Sequence, residues 1–404
     1  ENFSRSQFRG GRLKAIEQLQ KIEPARYGRT RNFVSGDVTK LSPWLRHGVL
    51  ALTEVRDEAL SKVQQVSQAE KLIAELGWRD YWQRVRAARP EGVWHDFETP
   101  AARHRGQVID YLPDTVAHGE TGLDCIDAFC KKLIHDGWLH NHERMWLASW
   151  LVHTRKVAWR VGAAWFLQHL LDADPASNNF SWQWVAGTFS SKPYIFNREN
   201  LERFTDGIYC ETCPAFGHCD FEGTYEQLNE KLFMNGSDER DVRLTIPPVV
   251  SSGSSDIPDE SLVWITLDSL SACSPAKLRF PESPAIFVFD QHWLSDELPS
   301  YKRIAFICEC LADLPEVEIW FGDTAMVLQE RARAHKVNAI SMANTSCPAV
   351  RHVVDRLSDA TPVVPLDWPS FCDASKVKDL GRFSRYWNKV SKTALRPTFA
   401  DDRF

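Results

Sequence analysis

The stretch from Thr121 to Tyr194 constrains this chain more than any other. Its apolar residues recur at helical spacing, first Ile126, Phe129 and Leu133, then Met145, Leu147, Ala148, Leu151 and Val152. That spacing predicts several packed helices. Asn141, Arg144, Asp172, Asp174, Asn178 and Asn179 stand among aromatic and aliphatic neighbours in the same stretch. Polar groups buried in such company need hydrogen-bonded or charged partners. A polar ligand held inside a helical bundle supplies them, so the expectation is an all-α ligand-binding domain.

At 404 residues the chain has length for two domains, each able to bury a full core. Residues 235–261 (NGSDERDVRLTIPPVVSSGSSDIPDES) are rich in Ser, Pro, Gly and Asp without any period, and read as a linker. Beyond them short β-rich runs (LVWITL, AIFVFD, EVEIWFG, VNAISM, TPVVPL) alternate with helical patterns, which predicts a parallel α/β sheet. The expected division is a helical domain at 1–236, a linker at 237–259 and an α/β domain at 260–404. No G-x-G-x-x-G or P-loop is present, so a dinucleotide or nucleoside triphosphate site has no support. No apolar run approaches the ~20 residues of a membrane span, and there is no charged-then-apolar start. An intracellular, cytoplasmic protein with no membrane partner is expected. The net charge of −6 argues against generic, charge-driven nucleic-acid binding. Residues 1–50, with 10 basic and 4 acidic side chains, leave room for a local basic face.

Several motifs carry chemistry beside an ordinary structural reading. Residues 1–25 read as a helix with Leu13, Ile16 and Leu19 on one face, ended by Pro24. Thr39, Lys40 and Ser42 precede a helix with Pro43 near its start, which suits either an anion site or a plain Ser N-cap. In AELGWRDYW (74–82) Glu75, Trp78 and Arg79 share a helix face, functional or simply an intrahelical Glu–Arg pair. Sixteen Trp fill a large core or serve aromatic ligands and electron transfer. Seven of the ten Cys (Cys125, Cys130, Cys273, Cys308, Cys310, Cys347, Cys372) are scattered in apolar or helical contexts, where most read as small buried hydrophobes. The loop YCETCPAFGHCDFEG differs, since Cys210-x2-Cys213-x5-Cys219 places thiolates that converge on one soft ion. Spacing alone leaves zinc, with His218 as a further ligand, and iron–sulfur both open.

The motifs TG(x)4D, GWLHNHERM, DADPASNN and WQW stand together over about seventy residues. In order and spacing this stretch resembles the flavin-binding domain of the DNA photolyase/cryptochrome family. The resemblance implies FAD bound by Tyr27, Thr39, Lys40, Leu41, Ser42, Arg79, Asn141, Arg144, Asp172, Asp174 and Asn178. Tyr27 and residues 39–42 would hold the diphosphate, although Val38 departs where a Thr is usual. Arg144 and Asp172 would pair beside the flavin N5, which Asn178 would face. Trp182 and Trp159 match two members of the Trp chain that reduces the flavin, while the third position is Val116. Trp138, Trp146, Trp150 and Tyr111 are the alternative exits. Glu75, Trp78, Met145 and Trp184 match the cavity that receives a flipped-out lesion, and Asn141 with Met145 makes it the cyclobutane-dimer type.

One bacterial branch of the family carries a [4Fe–4S] cluster, and resemblance to it implies Cys125, Cys210, Cys213 and Cys219 as ligands. The departures are a shorter loop before the last Cys and Asn141 where that branch has His. The α/β segment resembles the Rossmann-like antenna domain of photolyases, which in the family comes first. VWITLDSL stands where the family has VWFR-x-DLR; Asp268 is retained and both Arg are missing, so a second antenna chromophore stays unidentified. The whole implies a circularly permuted photolyase, driven by blue light to split cyclobutane pyrimidine dimers. Damaged DNA is then the partner, with the basic residues of 1–50, Arg84, Arg86 and Arg89 as phosphate contacts. The alternatives are a cryptochrome-like photoreceptor with an unknown signalling partner, and an iron–sulfur flavoprotein passing electrons without photochemistry.

Overall fold

In the computed structural model, which describes residues 6–234, 244–249, 257–314, 316–357 and 361–398, helices fill the first part and strands begin at Leu262. The early helices are α1 (Arg12–Leu19), α2 (Pro24–Thr30), α3 (Ser42–Arg46), α4 (Leu52–Ser61) and α5 (Glu70–Ala88). The central ones are α6 (Asp114–Ala117), α7 (Asp124–Asp136), α8 (Asn141–Ser149), α9 (Trp159–His169) and α10 (Pro175–Ala186), followed by α11 (Arg198–Thr205) and α12 (Tyr225–Leu232). The single helix expected over 1–25 is instead α1 and the start of α2. Pro24 opens the second helix, where its fixed φ and missing N–H are tolerated, and Leu13 is exposed while Ala15 and Leu19 are buried.

Two compact units form, interleaved along the sequence. One comprises Ala25–Val38 and the described residues of Glu91–Thr245; the other comprises Phe8–Pro24, Thr39–Pro90 and the described residues from Ile246 onward. Residues 237–243 and 250–256, most of the expected linker, lie outside the described residues.

In the first unit the spacing of Ile126, Phe129 and Leu133 on α7 places all three in the core with Trp146, Leu147 and Leu151. The Thr121-Gly122 turn is clamped to α7 by Asp127, whose Oδ1 accepts from the Thr121 N–H and hydroxyl, both at 2.7 Å. This gives TG(x)4D a local mechanical role, fixing the turn from which Cys125 enters the helix. Helix α7 stops at Gly137, which takes the left-handed conformation (φ 68°) that ends many helices. Helices α9 and α10 approach closely because Gly162 has no side chain: a Cβ there would lie 2.3 Å from Trp182 Cη2.

The second unit contains the sheet. Strands β1 (Leu262–Ile265), β2 (Ala285–Asp290), β3 (Val317–Gly322), β4 (Ile340–Ala343) and β5 (Val363–Leu366) run parallel in the order β3-β2-β1-β4-β5. The register pairs Val263 with Ala285 and Leu262 with Ile340. Pro365 sits in the edge strand β5, where a missing ladder donor is tolerated. Helices α13 (Pro275–Arg279), α14 (Gln291–Glu297), α15 (Tyr301–Ala312), α16 (Thr324–Ala334) and α17 (Pro348–Leu357) accompany the strands, and α18 (Phe383–Ala394) packs on α5.

Open parallel sheets bind ligands where the strand order reverses, here between the C-terminal ends of β1 and β4. In this unit the polar groups beyond those strand ends bond within the chain. Asp268 pairs with Arg46 and accepts from the Thr345 hydroxyl, and Ser346 accepts from Arg86 Nε at 2.8 Å.

The α5–α18 contact is close enough to be tested by one methyl group. A Cβ on Gly77 would fall 2.4 Å from Trp387 Cζ3 in the middle of this interface. Gly77→Ala should therefore destabilise the protein by about 1–3 kcal/mol, as overpacking does, despite the better helix propensity of Ala. Denaturant unfolding of the two proteins checks this.

Candidate functional site

Helix α8 is fixed at its start by a capping box. Glu143, fully buried, accepts from the His140 backbone N–H at 2.7 Å and from Lys132 Nζ at 2.8 Å. This rigid first turn places Arg144. Its Nε donates to the Leu139 carbonyl at 3.0 Å and its Nη2 to Asp172 Oδ2 at 2.9 Å. The Asp172 side chain is 6% exposed, and its other oxygen, Oδ1, is buried with no hydrogen-bond partner. An unpartnered buried acceptor costs stability unless a ligand donor meets it.

Two residues on, Asp174 caps α10, accepting from Ala176 N, Ser177 N and the Ser177 hydroxyl at 3.3, 3.2 and 2.6 Å. Its carboxylate therefore serves the helix start whatever else it binds. Asn178 donates through its amide nitrogen to the Ala163 carbonyl at 3.0 Å and to Asn179 Oδ1 at 2.9 Å. Asn141 departs from the expected burial. It is the first residue of α8 and exposed, with its amide folded back along the helix toward Met145 Sδ at 3.4 Å. Tyr27 on α2 is half-buried in the same unit.

The indoles of the expected electron path are buried. Trp182 packs edge-on to Phe166 with centroids 4.9 Å apart and lies against Gly162. Trp159, one turn before Gly162 on the same face of α9, is 5% exposed. Val116, the expected third position, is fully buried. Trp184 tilts against Tyr194, with centroids 5.5 Å apart.

The remaining expected residues lie in the second unit. Lys40 is exposed at φ 55°, and Thr39 Oγ1 accepts from the Leu41 N–H at 3.4 Å. Ser42 does not cap α3 as expected; it is the first helical residue, and the cap position falls on Leu41, which has no side-chain acceptor. Glu75, Trp78 and Arg79 lie on α5, all partly exposed, but the indole face of Trp78 is not open. Phe383 of α18 stacks on it at 3.8 Å and 11°, and Trp387 stacks on Phe383 in turn at 5.7 Å and 16°. Sequence reasoning missed this partner, although Phe383, Tyr386 and Trp387 stand at helical spacing on α18. The expected phosphate contacts are also engaged: Arg86 is buried against Ser346 and Gln83, and Arg84 pairs with Asp80 at 2.7 Å.

The cysteines behave as a group. Cys125 at the start of α7 and Cys210, Cys213 and Cys219 from the loop after α11 line one small recess, partly open to solvent. Leu123, Leu201 and Phe216 form part of its apolar wall. Burial, with the neighbouring thiols adding to it, pushes the Cys125 thiol far up; burial and Glu202 raise Cys210 to about 11. Such thiols ionise only against a cation. Among the described residues no three His, Cys, Asp or Glu side chains converge closely enough to hold a single metal ion. His218 is exposed, and Cys130 does not line the recess. The scattered cysteines are mixed: Cys130, Cys310 and Cys372 are buried, whereas Cys308 is exposed.

Residues 72–208, which span α5 to α11, match the FAD binding domain of DNA photolyase. This stretch is similar to the flavin domain of the DNA photolyase/cryptochrome family. A deoxyribodipyrimidine photo-lyase of Streptomyces griseus is 36% identical over 192 residues, covering 46% of this chain and 41% of that protein. A cryptochrome DASH of Ostreococcus tauri is 32% identical over 248 residues, covering 56% and 45%. A Synechocystis cryptochrome crystal structure, 25% identical, covers 50% of this chain and 45% of that one at a TM-score of 0.44. The chain thus spans less than half the length of these photolyase-family relatives, and β1 to β5 lie outside the matched domain. Among the described residues no helix is long and apolar enough to cross a membrane.

The Arg144–Asp172 pair gives a direct test of the photolyase-type site. Asp172→Ala leaves a guanidinium that is only 25% exposed without its counter-charge. The expected loss is about 3 kcal/mol, the low end for breaking a buried pair, together with lower FAD content. Unfolding free energy and flavin per chain are the measurements.

Proposed function

We propose that this chain is an FAD-dependent, blue-light-driven photolyase that splits cyclobutane pyrimidine dimers in DNA. The observation that carries the flavin reading is Asp172: locked to Arg144 by one oxygen, it presents the other buried and unpartnered. A ligand N–H would satisfy it, and the Asn178 amide oxygen is a second acceptor nearby in sequence. FAD, when bound, supplies light absorption and a transferable electron. The chain's own residues do the rest. Arg144, held by Asp172 and the Leu139 carbonyl, keeps a fixed positive charge beside the ligand. Trp182 and Trp159, shielded from water, pass electrons toward it. Met145 and Trp184 are the first-unit residues assigned to the extruded dimer, since chemistry on a stacked base requires its extrusion. The dimer as substrate rests on the resemblance and on relatives that are named photo-lyases.

The cysteine recess is read as a cluster site because four thiols line one cavity and the loop resembles that of the iron–sulfur branch. Cys125, Cys210, Cys213 and Cys219 would hold a [4Fe–4S] cluster, which supplies electron transfer or a structural tie between α7 and the loop after α11. Under the same reading the helical part (1–236) and the sheet part (260–404) are the flavin and antenna-type domains of a circularly permuted photolyase.

A second reading, a photoreceptor of the cryptochrome kind, is favoured by one observation. Phe383 occupies the face of Trp78 on which an extruded base would stack. Repair of a thymine-dimer oligonucleotide under blue light decides between them. The photolyase reading expects light-dependent restoration of intact thymines and none in the dark. A protein that binds FAD and reduces it in light, yet leaves every dimer intact, is the photoreceptor.

For the cluster, anaerobically purified protein should contain about four irons per chain. Cys125→Ser should remove most of that iron, whereas Cys130→Ser should leave it unchanged. Stoichiometric zinc without iron would refute the assignment.

A further inference from the structure

The electron path in the first unit ends unusually. Val116 fills the position where a third tryptophan is expected, so oxidation of Trp159 has no indole at that position to pass to. The surroundings of Trp159 offer a different ending. Its indole N–H donates to Asp96 Oδ1 at 2.8 Å. Arg160 bonds the same oxygen through Nη2 at 2.9 Å, and its guanidinium carbon lies over the Trp159 ring, 4.9 Å from the centroid. Arg160 Nε is in turn anchored on the Trp94 carbonyl, so the guanidinium is held in place from two sides. The ring is 5% exposed, but the Asp96 side chain is 33% exposed and reaches water.

This arrangement is suited to an indole that loses an electron. A neutral indole face attracts a stacked guanidinium. An oxidised indole carries a positive charge and is repelled by it, which makes the cation less stable and its proton easier to lose. The base already hydrogen-bonded to that proton is Asp96.

We propose that Asp96 accepts the Nε1 proton of Trp159 when that indole is oxidised, so that the path ends in a neutral indolyl radical at Trp159. The proposal rests on the reading of a flavin-accepting Trp182–Trp159 path. One electron leaves Trp182 for the photo-excited oxidised flavin, and Trp159 refills Trp182. Trp159, now a radical cation, transfers its Nε1 proton to the Asp96 carboxylate, which releases it to water. The neutral radical takes the electron back only if it regains a proton, so the separated charges persist long enough for an added thiol to reduce the radical. Arg160 is a positioning residue here: it orients Asp96 and disfavours the cation.

Asp96→Asn tests this, because the amide oxygen still accepts the indole hydrogen bond but is not a base. Transient absorption distinguishes the cation radical of tryptophan from its neutral form. In the parent protein the neutral form should appear, more slowly in D2O. In Asp96→Asn deprotonation should slow by about a hundredfold, the lower end of what a positioned base contributes. The cation should then decay by recombination, and steady photoreduction with thiol should fall while FAD per chain stays unchanged. A flavin-independent readout accompanies it. In flavin-free protein the 15N-labelled Trp159 indole N–H should exchange slowly and resonate downfield, and both properties should weaken in Asp96→Asn. Formation of the neutral radical in Asp96→Asn at the parent rate would overturn the proposal. Trp159→Phe separates the two levels: photoreduction at the parent rate in that variant would mean that the path itself is wrong.

Discussion

The ion pair between Arg144 and Asp172 ties the first turn of α8 to the segment that joins α9 to α10, and the arrangement of the helical unit depends on it. Removing two charges from water costs several kcal/mol per ion, which their attraction offsets only with good geometry and further hydrogen bonds. Arg144 has the Leu139 carbonyl as well as Asp172; Asp172 has one oxygen paired and one not. A protein folded for its own stability alone would gain by replacing Arg144 and Asp172 together with apolar side chains. Under the proposed function the pair is half of a binding site, in which the ligand would complete the hydrogen bonding that the chain leaves open.

The same region shows how one loop serves several purposes. Asp174 caps α10, and so fixes the orientation of the helix that carries Asn178, Trp182 and Trp184. Gly162 then lets α9 approach until Trp182 lies against its backbone, which sets Trp159 one turn away. Asp127 plays the corresponding part for the cysteines by clamping the turn before α7, from which Cys125 faces the recess shared with Cys210, Cys213 and Cys219. In each case a short-range cap or clamp positions a residue whose partner is distant in sequence.

That distinction explains what the sequence made legible. Helical spacing located α7 and α8, and β-rich runs located the five described strands, because periodicity reports which face is buried. The grouping of Cys125 with a loop some ninety residues later followed from the motif resemblance and not from spacing. Partner choice was not legible. Trp78 has the same local pattern whether it meets a nucleobase or Phe383, and nothing near residue 78 announces α18 some three hundred residues on. Asn141 carries the expected motif yet is exposed, because a helix's first residue has no preceding turn to cover it. Asp96 was missed for the same reason: it is 63 residues from Trp159 in a loop-rich passage without period. The interleaving of the two compact units, which assigns 8–24 and 39–90 to the unit that holds the sheet, is likewise not revealed by the helical pattern of the first 90 residues.

The relatives agree on the flavin domain and differ in their named roles, photo-lyase for some and cryptochrome DASH for others. The central claim of the proposed function is that FAD completes the hydrogen bonding that Asp172 leaves open. Equilibrium titration of the flavin-free chain with FAD, followed by quenching of flavin fluorescence and by calorimetry, tests it most directly. The account predicts saturation at one FAD per chain, with the thermal midpoint of unfolding rising as FAD is added. Absence of saturable binding, or binding that leaves the midpoint unmoved, would contradict it.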